Sequence, residues 1–276
     1  MSNKVLKPKK ASLYEFTQNY SNNINNCIEF FKSMKWPEGF SCDRCGCHKY
    51  YLIKRVGKTK TSYVLECSSC HKQHSLLSGT IFQSCKLDLY KLLLGIFLFF
   101  NENKGISAIE LCSILDVNYK TALLLESKCR ILMSLSNSDK LLNSLFYEAD
   151  VFNIGAKSKN KVGRASEQQP VLGILSTDKE NNYPRFIKLR LINDYTGLSL
   201  KKNIEQCCLL SNDSLLNTDG EKGFNTLGTE IQVKNEKISY EEKNHRLLWL
   251  NIIIGNIKNN ITGIYHGITK REMPLF

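Results

Sequence analysis

The chain has 276 residues, 42% of them hydrophobic and 23% charged, a balance that excludes a disordered chain and admits one large domain or several small ones. Lys and Arg number 38 against 26 Asp and Glu, and the resulting charge of +12 points to a polyanionic partner, nucleic acid before an anionic membrane surface. The longest apolar run, Leu92–Phe100, is about half of what spans a bilayer, and no apolar core follows the basic start MSNKVLKPKK, so neither a membrane anchor nor a secretory signal is expected and the location reads as cytoplasmic.

Residues 1–35 read as a lead-in carrying one helix, with Leu13, Phe16, Tyr20, Ile24, Cys27, Ile28 and Phe31 close to helical spacing. Residues 36–85 are rich in Cys, Gly and Tyr and contain short alternating runs such as Tyr63–Cys67. Four of the eleven cysteines form two pairs, Cys42-Asp-Arg-Cys45 and Cys67-Ser-Ser-Cys70. The odd total and the lack of a signal sequence argue for metal ligands and free thiols rather than disulfides. Thiolates at this spacing leave a tight knuckle with both sulfurs facing one ion, and two knuckles make a tetrahedral zinc site. Gly46 suits the turn that such a knuckle needs. Cys47, His48, His71 and His74 stand nearby as substitute ligands, although the simpler reading leaves them outside the coordination sphere. Four protein ligands leave no open position, so this zinc is structural rather than catalytic.

Residues 86–137 read as helical. Leu87–Phe100 fits a core helix, while Ala108–Leu115 and Tyr119–Met133 flank a turn at Asp116-Val117-Asn118. That pair has the form of a helix-turn-helix, with Lys120, Lys128 and Arg130 available for phosphates, and a small helical bundle would carry the same pattern.

From residue 138 onward the pattern turns to strands, and residues 138–276 are taken as one further domain. Phe146–Ile154, Pro170–Ser176, Arg185–Ile192 and the short Ser214–Thr218 are strand-like, the polar segment Lys157–Gln169 reads as a hairpin loop, and Arg246–Ile261 as a helix. Asp150 lies inside an apolar strand, where a carboxylate needs a partner or a metal. Asp219 closes a second strand before Gly220, and Asn251, Asn256 and Lys258 belong to the apolar helix. Oxygen ligands converging from two strand ends and a helix could hold two Mg²⁺ about 3.5–4 Å apart for phosphoryl transfer. By residue type alone, Asp219 serves equally as a turn residue and the two asparagines as solvent-facing helix positions.

Taken together these pieces resemble the ISXO-type insertion-sequence transposases, relatives of the Merlin DNA transposons. The ribbon is similar over Trp36-Pro-Glu-Gly-Phe-Ser-Cys42 through Cys70 and on into Leu77-Ser-Gly-Thr-Ile-Phe82. The core is similar over Glu148-Ala-Asp150-Val-Phe-Asn-Ile-Gly155, Gly163-Arg164, Pro170-Val-Leu-Gly-Ile and Thr218-Asp219-Gly220. It is similar again from Trp249-Leu-Asn251 through Gly255-Asn256-Ile-Lys258 to Gly263-Ile-Tyr-His-Gly267.

The resemblance implies a multidomain α+β chain: a zinc ribbon, a helix-turn-helix-like segment, and a ribonuclease-H-like α/β core with a mixed sheet. It implies a homo-oligomeric DNA transposase that binds terminal inverted repeats and target DNA, and that uses structural Zn²⁺ and catalytic Mg²⁺ or Mn²⁺. Asp150 and Asp219 match the first two metal-binding carboxylates. The third position is Asn within Asn-x-Lys in one branch of the family and Glu seven residues before the Lys in another. Asn256-Ile-Lys258 is the preferred register and Asn251 the runner-up. Lys258 would meet DNA near the reacting phosphate, Arg164 belongs to the basic loop, and His245 and His266 are weaker candidates for phosphate contact. Val151 stands where Glu is frequent, Ala156 where a second Gly is usual, Asn251 where the Asn-x-Lys branch carries His, and Ile264 where Thr is usual. The close at Glu272-Met-Pro-Leu-Phe276 gives the core a shortened end, so the alternative expectation is a truncated copy that binds DNA without catalysis.

Overall fold

The computed structural model describes residues 11–57, 61–102, 105–138, 140–155, 168–178, 183–220, 222–227, 232–235 and 247–265. Contacts divide the chain into two compact units, Met1–Leu132 and Met133–Phe276.

In the first unit the lead-in holds two helices, α1 (Leu13–Tyr20) and α2 (Ile24–Lys35), where one was expected. Helix α1 opens on a capping box: Glu15 N–H donates to Ser12 Oγ, and Ser12 N–H donates to the Glu15 carboxylate. The polar stretch Ser21-Asn22-Asn23 ends the first helix, and the Asn23 side chain accepts the Asn26 N–H to start the second. Strands β1 (Tyr50–Val56), β2 (Thr61–Cys67) and β3 (Gln73–Ser75) form an antiparallel sheet in that order. Helices α3 (Leu89–Asn101), α4 (Ala108–Leu115) and α5 follow, the last running Tyr119–Ser138 so that its final turns, from Met133 on, count with the second unit. Helix α4 is capped by Ser107 and Glu110 and stopped by Asp116, which adopts the left-handed conformation at φ 48°.

The boundaries expected at residues 35 and 85 do not separate cores. Phe16, Ile28, Phe31, Phe40, Leu65, Leu92, Leu111 and Leu125 belong to one buried cluster. A ribbon of three short strands has too little apolar surface to close a core of its own, so the flanking helices complete it.

The second unit is built on a five-stranded sheet. Strands β4 (Leu142–Asn143) and β8 (Cys208–Leu209) pair as a short ladder beside it. The main sheet contains β5 (Phe146–Ile154), β6 (Gln169–Asp178), β7 (Tyr183–Leu191), β9 (Leu215–Thr218) and β10 (Gln232–Asn235), in spatial order β10-β9-β5-β6-β7. Strands β5, β6 and β7 are antiparallel neighbours, while β9 runs parallel to β5 and β10 parallel to β9. Helix α6 (Gly197–Glu205) lies between β7 and β8 in sequence, and α7 (Leu248–Tyr265) comes last.

Alternation along β5 gives the two faces different cores. Tyr147 and Ala149 join Leu172, Ile174 and Leu216 with Leu200 and Ile204 of α6. Phe152 joins Val171 and Leu175 with Leu250 and Ile254 of α7. Two helices on opposite faces therefore sandwich the middle of the sheet.

Candidate functional sites

The two Cys pairs come together as their spacing predicted. The Sγ atoms of Cys42 and Cys70 lie 3.6 Å apart, those of Cys45 and Cys67 3.5 Å, and all four lie within 4.8 Å of one another. A tetrahedral zinc with bonds of about 2.3 Å sets its sulfurs about 3.8 Å apart, so the donor set fits that ion. The knuckles repeat one another. Gly46 N–H donates to Cys42 carbonyl at 2.8 Å and His71 N–H to Cys67 carbonyl at 3.1 Å, and both residues have positive φ, 69° and 55°. Glycine takes that conformation freely and His71 does so under strain. Burial raises the Cys42 thiol pKa, but the backbone N–H groups of Arg44 and Cys45, together with His74 and Cys70, outweigh it and bring it down to about 6, toward the thiolate that zinc needs. His74 is buried against Trp36 and Phe40, within 4.8 Å of Cys42 and Asp43, and its Nε2 has no hydrogen-bond partner among the described residues.

The basic residues of α5 differ from one another. Lys120 is exposed at the start of the helix. Lys128 Nζ donates to the Gln83 carbonyl at 3.1 Å. Arg130 is engaged within its own helix: its guanidinium lies 2.6 Å from Glu126, with side chains only 11% and 1% exposed. A buried acid one turn earlier has claimed the cation that the sequence offered to phosphate. Arg164, His245 and His266 lie outside the described residues.

On the main sheet, β5 and β9 run parallel with Tyr147 opposite Leu216, Glu148 opposite Asn217 and Ala149 opposite Thr218. Ala149 and Thr218 are the last pair, and the next residue on each chain is an aspartate: Asp150 continues along β5, and Asp219 leaves β9 before the Gly220 turn at φ 88°. Both aspartates are half-buried. Alternation carries Asp150 to the face of Glu148 and Phe152. Helix α7 covers this face through Leu250 and Ile254.

Helix α7 treats its two asparagines differently. Asn251 is half-buried, seven residues before Lys258 and so on the same edge of the helix. Lys258 Nζ sits 5.5 Å over the Phe152 ring of β5. Asn256 is exposed and lies about 140° around the helix from Asn251, away from the stripe of Leu250, Ile254 and Ile261.

Glu148, which the sequence reading quoted only as a neighbour of Asp150, is 5% exposed, and its Oε2 accepts the Leu250 N–H at 2.9 Å. Burial pushes its carboxyl up to about 7, against the Leu250 N–H, which pulls it down. Two acids at even spacing inside an apolar strand were the available signal. Gly173, paired with Asp150, was also missed: a Cβ there would stand 3.3 Å from both Leu250 Cδ1 and Phe152 Cε1, so α7 rests where a side chain would go.

Among the described residues, clusters of three or more Cys, His, Asp or Glu side chains able to share an ion occur only at the ribbon. Among the described residues, no further Cys, His, Asp or Glu ligand atom is grouped in this way with those of Asp150 and Asp219. An amide oxygen qualifies chemically as a further ligand, being a hard neutral donor suited to Mg²⁺ or Mn²⁺. No described helix is long and apolar enough to cross a membrane.

Comparison with known families matches residues 24–73 to the transposase zinc-ribbon domain and residues 146–275 to the ISXO2-like transposase domain. A search of the curated proteins found no match.

Proposed function

We propose, from the match of residues 146–275 to the ISXO2-like transposase domain and of residues 24–73 to the transposase zinc-ribbon domain, that this chain cuts DNA at the terminal inverted repeats of an insertion sequence and joins the freed ends to target DNA. The observation that carries this reading is that parallel strands β5 and β9 of a five-stranded sheet pair through Ala149 and Thr218, the residues that immediately precede Asp150 and Asp219. Numbered by appearance, that sheet runs 5-4-1-2-3 with the first three strands antiparallel, an order that supports a ribonuclease-H-like core. The ribbon and the helices after it supply DNA contacts, Lys120 among them, and a homo-oligomer would bring two ends together.

Asp150 and Asp219 would hold the divalent cation, with the Asn251 side-chain oxygen as the third protein ligand in place of Asn256. Half-burial and the shared edge with Lys258 support Asn251. When bound, Mg²⁺ or Mn²⁺ supplies Lewis-acid stabilisation of charge at the reacting phosphate. The chain's own residues do the rest. Lys258, held over Phe152, offers a cation to the phosphate backbone, and the sheet edge orients the strand so that water displaces a 3′-oxygen and the resulting 3′-hydroxyl later attacks a target phosphodiester.

The test is cleavage and strand transfer on the element's own ends with Mg²⁺ or Mn²⁺. Activity that disappears in Asp150→Ala and in Asp219→Ala supports the enzyme. A neutral amide at the third position favours a second reading, a DNA-binding relic, and that reading wins if the wild type binds the ends in both metals without cutting them.

A further inference from the structure

We propose that Glu148 is a positioning residue, whose carboxylate pins the first turn of α7 to β5 and so sets the helix edge that carries Asn251 and Lys258 against the strand that carries Asp150. The inference rests on the transposase reading for its functional consequence, although the pin itself does not.

Helix α7 begins at Leu248, so Leu250 is among the first residues whose N–H groups find no carbonyl within the helix. The neighbouring Asn251 N–H is already satisfied by the Leu247 carbonyl at 2.9 Å. Glu148 Oε2 takes the Leu250 N–H at 2.9 Å in a buried setting, from a strand 102 residues earlier in the chain. An accepting oxygen at a helix N-terminus also meets the positive end of the helix dipole, in the carboxylate and in the protonated carboxyl alike.

The chemistry of the surroundings makes this placement costly unless it serves a purpose. Glu148 stands on the face that Phe152, Val171, Leu175, Leu250 and Ile254 fill with apolar atoms. An apolar residue would pack there without a desolvation cost but would leave the Leu250 N–H orphaned. Packing alone lets a helix slide along a sheet by a rotamer change. A hydrogen bond to one backbone atom fixes both its position along the sheet and its rotation. Asn251 is the next residue after the pinned N–H, and Asp150 is two residues along the pinning strand, so the pin acts over the shortest route between these two site residues. Gly173, whose bare Cα face receives Leu250, holds the same turn from the strand on the other side of β5 from β9.

The test compares Glu148→Leu, which fills the volume but cannot accept, with Glu148→Gln, which keeps an accepting oxygen. Amide exchange is read by residue on the full chain without added Mg²⁺ or Mn²⁺. Glu148→Leu should speed exchange at Leu250 roughly tenfold or more, while the amides of Leu172 and Ile174 stay as protected as in the wild type, and Glu148→Gln should restore most of the Leu250 protection. In DNA cleavage, Glu148→Leu should lower kcat with KM for DNA unchanged, and Glu148→Gln should recover it. Unchanged protection of Leu250 in Glu148→Leu overturns the pin. Altered protection with kcat and KM untouched overturns its role in positioning. If the wild type cuts no DNA, the transposase reading falls, and the exchange measurement still decides whether the pin exists.

Discussion

Glu148 Oε2 and the backbone N–H of Leu250 meet at 2.9 Å, joining the second unit's first long strand to its last helix. Because burial raises the Glu148 pKa from 4.5 to about 7, the folded state holds its proton more tightly than the unfolded chain does. Its stabilising contribution is therefore complete below about pH 4.5 and is lost as pH rises through about 7. In metal-free protein, Glu148→Gln should remove that part of the slope, gaining on the order of 1–2 kcal/mol relative to the wild type between pH 5 and pH 8. Urea unfolding at the two pH values measures it, and identical slopes would count against a buried, proton-holding Glu148.

Gly173→Ala places a methyl group 3.3 Å from Leu250 and Phe152, closer than packed carbons normally sit. The expected loss is about 1–3 kcal/mol of stability, with a larger effect on cleavage than on DNA binding, because α7 must lift away from Asp150. Denaturation midpoints beside cleavage and binding assays separate the two effects.

The third position gives a contrast between neighbours on one helix. Asn251→Ala should reduce cleavage at least a hundredfold, and Asn256→Ala should change it less than about threefold, since only the first shares an edge with Lys258. Asn251→Asp adds a charged oxygen and should tighten Mg²⁺ binding. Equal losses for the two alanine variants would return the assignment to Asn256.

Zinc removal should melt the ribbon and loosen the helices packed on it, because Phe40, Leu65 and Cys67 share a buried cluster with Phe16, Phe31 and Leu92. Gly46→Ala meets no steric obstacle but must hold φ near 69°, at a cost of about 1–2 kcal/mol, or roughly tenfold in zinc affinity. His71→Gly, at the equivalent point of the other knuckle, should weaken zinc binding little or not at all. Competition against a coloured chelator reads both variants.

Lys120→Ala should lower affinity for DNA and reduce the slope of log affinity against log salt by about 0.9 if it contacts one phosphate. Arg130→Ala should act on folding instead, costing on the order of 3 kcal/mol by removing the cation that faces the buried Glu126 carboxylate. A normal unfolding midpoint with weakened DNA binding in Arg130→Ala would show that its guanidinium reaches the ligand after all.

Much of this protein was legible residue by residue. The C-x-x-C spacing predicted the sulfur cluster because a knuckle is local geometry, closed within four residues and one turn. The expected helix at Ala108–Leu115 and strand at Phe146–Ile154 match the observed bounds, since capping and apolar runs also act locally. Helix α6 and strand β10 went unread because one is short and polar on average and the other has only four residues.

What the linear chain left open were the choices made across distance. The strands that flank Asp150, the face of α7 that meets the sheet and the ion pair of Arg130 each depend on groups brought together only by folding. Strand register, helix rotation and burial decided them: a one-residue slip in a strand or a 100° turn of a helix exchanges one neighbour for another, and no local preference records which was taken.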